Sequence, residues 1–366
     1  MGRAAVAPYL YVQLIILLGL MCYGCTPVNE GEVGAVASTP IVYDPPVYAD
    51  IIYPVDNPTT EEGLALGKML FFDPILSIDS TISCASCHEP ALAFTDGEAI
   101  SRGIDGRLGR RNAPTLTNIG YRFETLFWDG RAVDLETQAL HPIADPNEMG
   151  GNWPLIISRL RKHEVYSEAL QKAFGLASIR DINPDHIGKA LAQFQRSLIS
   201  NNSKYDRVKR GDARFTEMEA RGHAIFFDEA DFAEVNAPVG ECAHCHTAPH
   251  FTNQRFFNNG LDEALALEDF VDKGRGAVTG NKYENGLFRT PTLRNIALTA
   301  PYMHDGRFET LEQVIEHYNQ GGHYAENRNA NVRPLGLTEG DQQALLAFLN
   351  TLTDSSFVSN PIYQMP

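Results

Sequence analysis

The 366-residue chain is short of cysteine, of basic charge and of long apolar runs, and each shortage excludes something. Of its six cysteines, Cys22 and Cys25 lie near the N-terminus. The other four form two tight clusters, so none is left for a long-range disulfide and a disulfide-stapled scaffold is excluded. Lys and Arg number 30 against 46 Asp and Glu, a formal net charge of −16. That balance excludes the basic face of a nucleic-acid binder and favours, weakly, a cationic partner. The one apolar run, Leu10 to Met21, is about a dozen residues, shorter than the ~20 a spanning helix needs, so a polytopic membrane protein is excluded. Tryptophan is scarce as well, with only Trp128 and Trp153.

Arg3 followed by the apolar run reads as an export signal over residues 1–25. A buried N-terminal helix fits less well, because a Gly/Pro/Val-rich stretch without helical period follows. Cys25 after Gly24 resembles a lipoprotein attachment cysteine, although Cys22 stands where Leu is usual. The expectation is a periplasmic protein, tethered to a membrane through Cys25, with residues 26–53 as a flexible linker.

The remaining cysteines read Cys84-Ala-Ser-Cys87-His88 and Cys242-Ala-His-Cys245-His246. C-x-x-C-H is the attachment signature of c-type haem: two thiols add to the vinyl groups and the adjacent His offers an axial nitrogen to iron. A thioredoxin-like pair would not need the His, twice. A zinc site would merge the motifs into one four-cysteine cluster. Two covalent c-type haems are expected.

The halves match beyond these motifs. Gly67-Lys-Met-Leu-Phe-Phe72-Asp73 and Gly222-His-Ala-Ile-Phe-Phe227-Asp228 precede them. Arg111-Asn-Ala-Pro114-Thr-Leu-Thr-Asn118 and Arg289-Thr-Pro291-Thr-Leu-Arg-Asn295 follow, and then Asp129-Gly-Arg131 and Asp305-Gly-Arg307. Helical period is clear in Ile187, Leu191, Phe194 and Leu198. Capping pairs Thr310/Gln313 and Thr338/Asp341 open two more helices. No alternating strand pattern stands out. The fold class is mainly α: two cytochrome c-like domains related by internal duplication, over residues 54–210 and 211–366.

With these motifs, and with Phe127-Trp128-Asp129-Gly130-Arg131 and Thr299-Ala-Pro301-Tyr-Met303-His304-Asp-Gly-Arg307, the chain from Pro54 to Leu352 resembles the bacterial di-haem cytochrome c peroxidases, a family that includes the MauG-type enzymes. The resemblance implies a peroxide-reacting haem on His88, an electron-transfer haem on His246 and a calcium ion between the domains. It implies Asn112 and the carbonyls of Thr299 and Pro301 as calcium ligands. In the peroxidase branch a His in a Gly-rich loop often closes the first haem's sixth position. Here Gly103-Ile104-Asp105-Gly106 carries Ile104 instead. The duplication independently sets Pro142, which has no ligating side chain, opposite Tyr318.

By the same resemblance Glu148, twenty residues after Trp128, is the distal acid–base group. Gln138, ten after it, is a distal hydrogen-bonding residue, and Trp128 is the inter-haem relay. The second haem's sixth ligand falls at Tyr318, fourteen beyond His304, where the peroxidase branch has Met. Met303 is the alternative, and His317 and His323 stand near. Phenolate stabilises oxidised iron, whereas Met raises the potential.

The function expected is reduction of hydrogen peroxide, with electrons from a small cytochrome or copper protein. The alternative is a MauG-type oxidase that uses peroxide to form a high-valent di-haem state and oxidises residues of a partner protein; Ile104 and Tyr318 support it. A non-catalytic di-haem electron carrier is the third reading. The resemblance also admits a homodimer.

Overall fold

Thr60 starts the first helix by accepting the Gly63 amide on its hydroxyl, with Glu61 and Glu62 in the positive first turn. The structure is a computed structural model that describes residues 39, 41, 51, 53–121, 125–227 and 238–365. Among the described residues the helices are α1 (Glu61–Phe72), α2 (Leu135–Ala144), α3 (Trp153–Lys162), α4 (Glu164–Phe174), α5 (Pro184–Arg196), α6 (Lys204–Arg210), α7 (Glu217–Phe227), α8 (Arg275–Thr279), α9 (Leu311–Gln320), α10 (Glu339–Asn350) and α11 (Ser355–Val358). Long loops join them. The protein is mainly helical, as expected. The single sheet is a two-residue ladder, β1 (Phe256–Phe257) antiparallel to β2 (Phe288–Arg289), with Phe256 opposite Arg289. Two residues are too short to print an alternating pattern.

Two helix pairs carry the architecture. α1 crosses α5 at Gly67, where a Cβ would collide with the Ala190 carbonyl; α7 crosses α10 at Gly222, where a Cβ would collide with the Ala344 carbonyl. The absent side chains let the backbones touch. The stripe Ile187, Leu191, Phe194 and Leu198 of α5 and its C-terminal extension is fully buried, and it joins Leu66, Leu70 and Phe71 in the first apolar core. A second core gathers Ile225, Phe226, Phe251, Ile315, Leu345 and Phe348. The two expected capping boxes are formed: Thr310 with Gln313, and Thr338 with Asp341.

The cores exchange segments across the boundary expected at residues 210/211. α6 precedes that boundary but packs with the second core through Tyr205, and Asp206 makes a fully buried two-pronged ion pair with Arg294 (2.9 Å each). The C-terminal residues return to the first core through Phe357 and Tyr363, whose hydroxyl donates to the Ser197 carbonyl (2.8 Å). The described residues accordingly fall in one compact unit.

The expected export signal, Cys25 and most of the 26–53 linker lie outside the described residues. Within that linker, Thr39 and Ile41 are docked. The Glu61 amide donates to the Thr39 carbonyl and the Ile41 amide to the Thr59 carbonyl, both at 2.9 Å, and Ile51 is buried. Among the described residues no helix is long and apolar enough to cross a membrane.

Candidate functional site

Each cysteine motif folds into the same tight turn. The amides of Cys87 and His88 donate to the Cys84 carbonyl (3.2 and 3.0 Å), and those of Cys245 and His246 to the Cys242 carbonyl (3.2 and 2.9 Å). All four thiols are free of disulfides. The imidazoles are held alike: Nδ1 of His88 meets the Phe94 carbonyl (2.9 Å) and Nδ1 of His246 the Phe251 carbonyl (3.1 Å). A carbonyl only accepts, so Nδ1 carries the proton and Nε2 keeps its lone pair for a metal. Burial holds both rings below the usual histidine value, His246 down to about 4, so both are neutral at pH 7 and able to ligate a metal. Burial pushes the Cys84 thiol up to about 12 and that of Cys87, beside Asp96, up to about 11.

Each motif borders its own cavity, one with about 1620 Å³ and the other with about 1760 Å³ of space not filled by protein, mouths included. Both walls are mainly apolar. Two thiols, one oriented neutral imidazole and a roomy apolar cavity fit a covalent haem in each place. The cysteine pairs border different cavities, so no merged four-cysteine zinc site is built. Among the described residues no group of three His, Cys, Asp or Glu side chains is placed to hold a metal ion.

The first cavity brings together Cys84, Cys87, His88, Gly103, Trp128, Gln138, Pro142 and Glu148. Among its described lining residues His88 is the one imidazole. Pro142 lies inside α2, and the loop beyond that helix folds back on it. The Met149 amide donates to the Pro142 carbonyl (3.2 Å), and the Glu148 and Gly150 amides to the Asp145 carbonyl (3.0 and 2.8 Å). That loop sets Glu148 on the wall. Burial and the neighbouring Asp145 push its carboxyl above the usual range, against the pull of Arg131 and Arg110. Ile104 is tied to the same loop, its amide donating to the Glu148 carbonyl (2.8 Å). Gly103 permits this approach, since a Cβ there would strike the carbonyls of Asn147 and Glu148.

The second cavity brings together Cys242, Cys245, His246, Met303, His304 and Tyr318. Both candidate sixth ligands converge on one amide: Nδ2 of Asn259 lies 3.3 Å from the Tyr318 hydroxyl and 3.4 Å from the Met303 sulfur. Burial pushes the Tyr318 phenol up to about 12, against the Asn259 donor, so its phenolate needs a cation beside it. His317 is committed elsewhere, with Nε2 on the Asn259 carbonyl (3.0 Å), and His323 is exposed; neither borders the cavity.

Between the cavities runs a shared wall of Asn112, Ala113, Pro114, Thr115, Trp128 and Arg289. Trp128 is fixed at both ends: Nε1 donates to the Asn112 carbonyl (2.9 Å), and its own carbonyl accepts the Arg289 amide (2.8 Å). The Asn112 amide donates to the His304 carbonyl (2.8 Å), and Arg111 bridges Asp129 (2.6 Å) and Asp272 (2.7 Å). Asn112, Thr299 and Pro301 all border the second cavity. Asn112 turns its amide nitrogen to the Glu98 carbonyl (2.9 Å), which leaves Oδ1 as the atom a hard cation would take.

Several residues here carried no readable signal in the sequence. Asn259 sits in a Phe-Phe-Asn-Asn run without a pattern. The stacking of Phe288 on His304 (3.6 Å between centroids, 14° between planes) joins side chains sixteen positions apart. Arg289 had a signal: aligning the repeats on Pro114 and Pro291 sets it opposite Asn112.

Known proteins resemble this chain over most of its length. Residues 61–214 match the family profile described as di-haem cytochrome c peroxidase. The chain is 38% identical over 307 residues to the methylamine utilization protein MauG of Methylorubrum extorquens, covering 82% of this chain and 80% of that protein. It is 34% identical over 311 residues to cytochrome c551 peroxidase of Nitrosomonas europaea, covering 85% and 84%. Among solved structures, a MauG-like protein associated with microbial copper homeostasis superposes with a TM-score of 0.79 at 35% identity, covering 89% of this chain and 99% of that one. A diheme peroxidase from Burkholderia thailandensis superposes with a TM-score of 0.70 at 27% identity, covering 87% and 91%.

Proposed function

The chain belongs to the di-haem cytochrome c peroxidase family, oxidoreductases that act on peroxide, and from that premise we propose that it reduces hydrogen peroxide in its first cavity on electrons relayed through its second. In this reading Cys84, Cys87 and His88 hold one c-type haem and Cys242, Cys245 and His246 the other. Haem iron, when bound, supplies the peroxide-binding site and the redox chemistry. The observation that carries the proposal is Glu148: a carboxyl raised by burial, on the same wall as Gln138 and Pro142, in a cavity whose one imidazole among the described lining residues is His88. Glu148 accepts the peroxide proton and returns it to the departing oxygen. Gln138 orients the oxygen through its amide. Neither Pro142 on that wall nor Ile104, whose amide is tied to the Glu148 carbonyl, has a side-chain atom that could ligate a haem iron. Trp128, fixed between the cavities, carries electrons across.

A second reading is favoured by Tyr318. Its place on the second cavity's wall suits a MauG-type enzyme, in which a phenolate favours oxidised iron and the oxidising equivalents pass to residues of a partner protein. In both readings residues 54–210 and 211–366 derive from a duplicated pair of cytochrome c-like domains whose cores have exchanged α6 and the C-terminal residues, and Asn112, Thr299 and Pro301 hold calcium. Residues 1–25 direct export to the periplasm, with lipid attachment at Cys25. The electron donor is a small cytochrome or copper protein, and the assembly a homodimer.

Electron paramagnetic resonance of the fully oxidised protein tests the assignment. One high-spin ferric signal from the first haem and one low-spin signal from the second are expected. Two low-spin signals would mean a closed first haem, as in a plain electron carrier or a peroxidase that needs reductive activation.

A further inference from the structure

Arg289 is a buried cation without a counter-charge. The residue is 4% exposed. Its Nε donates to the Phe127 carbonyl (2.9 Å) and its backbone amide to the Trp128 carbonyl, while Nη1 is buried with no hydrogen-bond partner. Among the described residues no carboxylate pairs with it. The acids nearby serve other guanidiniums. Asp129 pairs with Arg111 (2.6 Å) and Arg131 (3.1 Å), and Asp272 with Arg111 (2.7 Å). Even Arg275 is turned to carbonyls, those of Asp129 and Gly130 (3.2 and 2.9 Å). An unpaired guanidinium in so dry a place is costly, so the fold is incomplete there without an anion.

The position says where the anion comes from. Arg289 stands on the wall common to both cavities, which holds none of the four cysteines. A haem attached through its vinyl edge at the cysteines turns its opposite edge, with the two propionate carboxylates, away from them. Guanidinium to carboxylate is also the pairing for which Arg is best shaped. We propose that Arg289 is a propionate anchor on the wall shared by the two haem cavities, and that its charge sets the potentials of both haems at once. The inference rests on the di-haem reading above. It also gives meaning to the repeat: Asn112, two residues before Pro114, is the calcium candidate, and Arg289, two before Pro291, brings a fixed positive charge to the matching place. The clamp on the Trp128 carbonyl then ties the relay to the propionate that Arg289 holds.

The test is a spectroelectrochemical titration of the di-haem protein and of its R289Q and R289K variants, after haem has been counted by the pyridine haemochrome. Loss of the positive charge favours oxidised iron, so R289Q is expected to lower both midpoint potentials, and R289K to recover most of the shift. Unchanged potentials in a di-haem R289Q protein overturn this inference alone, and a shift at one haem only overturns the shared anchor. A wild-type chain that binds no haem overturns this inference and the di-haem reading together. Should the variants fail to load haem, a crystal structure of the wild-type holoprotein decides. A propionate oxygen within about 3.2 Å of Nη1 is expected. Water, a small ion or another acid in that place overturns it.

Discussion

Replacing Glu148 by Gln keeps the size of the side chain on the first cavity's wall and removes its ability to take a proton. Three carboxylates are among that cavity's described lining residues: Asp129 is paired with Arg111 and Arg131, Asp145 accepts only the Asn147 amide (2.8 Å), and Glu148 is the one raised by burial. General acid–base groups contribute about 10²- to 10⁴-fold, or roughly 3–5 kcal/mol of barrier. E148Q is therefore expected to slow the bimolecular reaction with hydrogen peroxide by that factor, measured by stopped-flow mixing with the fully oxidised protein. The pH profile adds a signature. Burial and Asp145 raise the carboxyl, so its base form fills only above the usual carboxylate range. The wild-type rate should rise with pH through a limb displaced upward from an ordinary Glu, and E148Q should lack that limb. A variant within about threefold of wild type, or one that keeps the limb, would refute the role given to Glu148.

Tyr318→Phe removes the hydroxyl from the second cavity and leaves the Met303 sulfur beside the same Asn259 amide. The second haem's spectrum should change and its potential rise as thioether replaces phenolate, with the first haem's high-spin signal intact; an unaltered second haem would count against Tyr318 as ligand. Trp128→Phe should slow electron exchange between the haems without slowing the first reaction with peroxide, and equal exchange rates in stopped-flow would remove Trp128 from the path. Asp206→Ala strands the fully buried Arg294 guanidinium and should cost about 3–5 kcal/mol in urea unfolding; a loss under about 1 kcal/mol would mean the pair is dispensable.

The parts of the site legible in the sequence are those whose chemistry demands fixed spacing. Cys-x-x-Cys-His must place two sulfurs and an imidazole along one haem edge, and both motifs fold into the same turn. The matched blocks of the two halves pointed to a helix before each cysteine motif, and Gly67 and Gly222 do the same work in those helices, a pairing the sequence did not show. Glu148 and Trp128 were legible only through register against a known family, since a lone Glu or Trp has no local signature. What escaped depends on contacts made across the chain. The carbonyls of Phe94 and Phe251 that orient the histidines belong to residues with no motif. Asn259 meets Met303 and Tyr318 only after the loop folds over. The exchange of α6 and the C-terminal residues between the cores is equally invisible to periodicity, because Tyr205 and Phe357 would suit either apolar surface.

The first haem site is proposed to be open already, since His88 is the one imidazole among the cavity's described lining residues and neither Pro142 nor Ile104 carries a ligating side-chain atom. Mixing hydrogen peroxide with the di-ferric protein and recording its absorption spectrum tests this most directly. A prompt loss of the high-spin ferric signal with no prior reduction is expected. If nothing happens until one electron is added, an unrecognised ligand closes the first haem, and the protein is a reductively activated peroxidase instead.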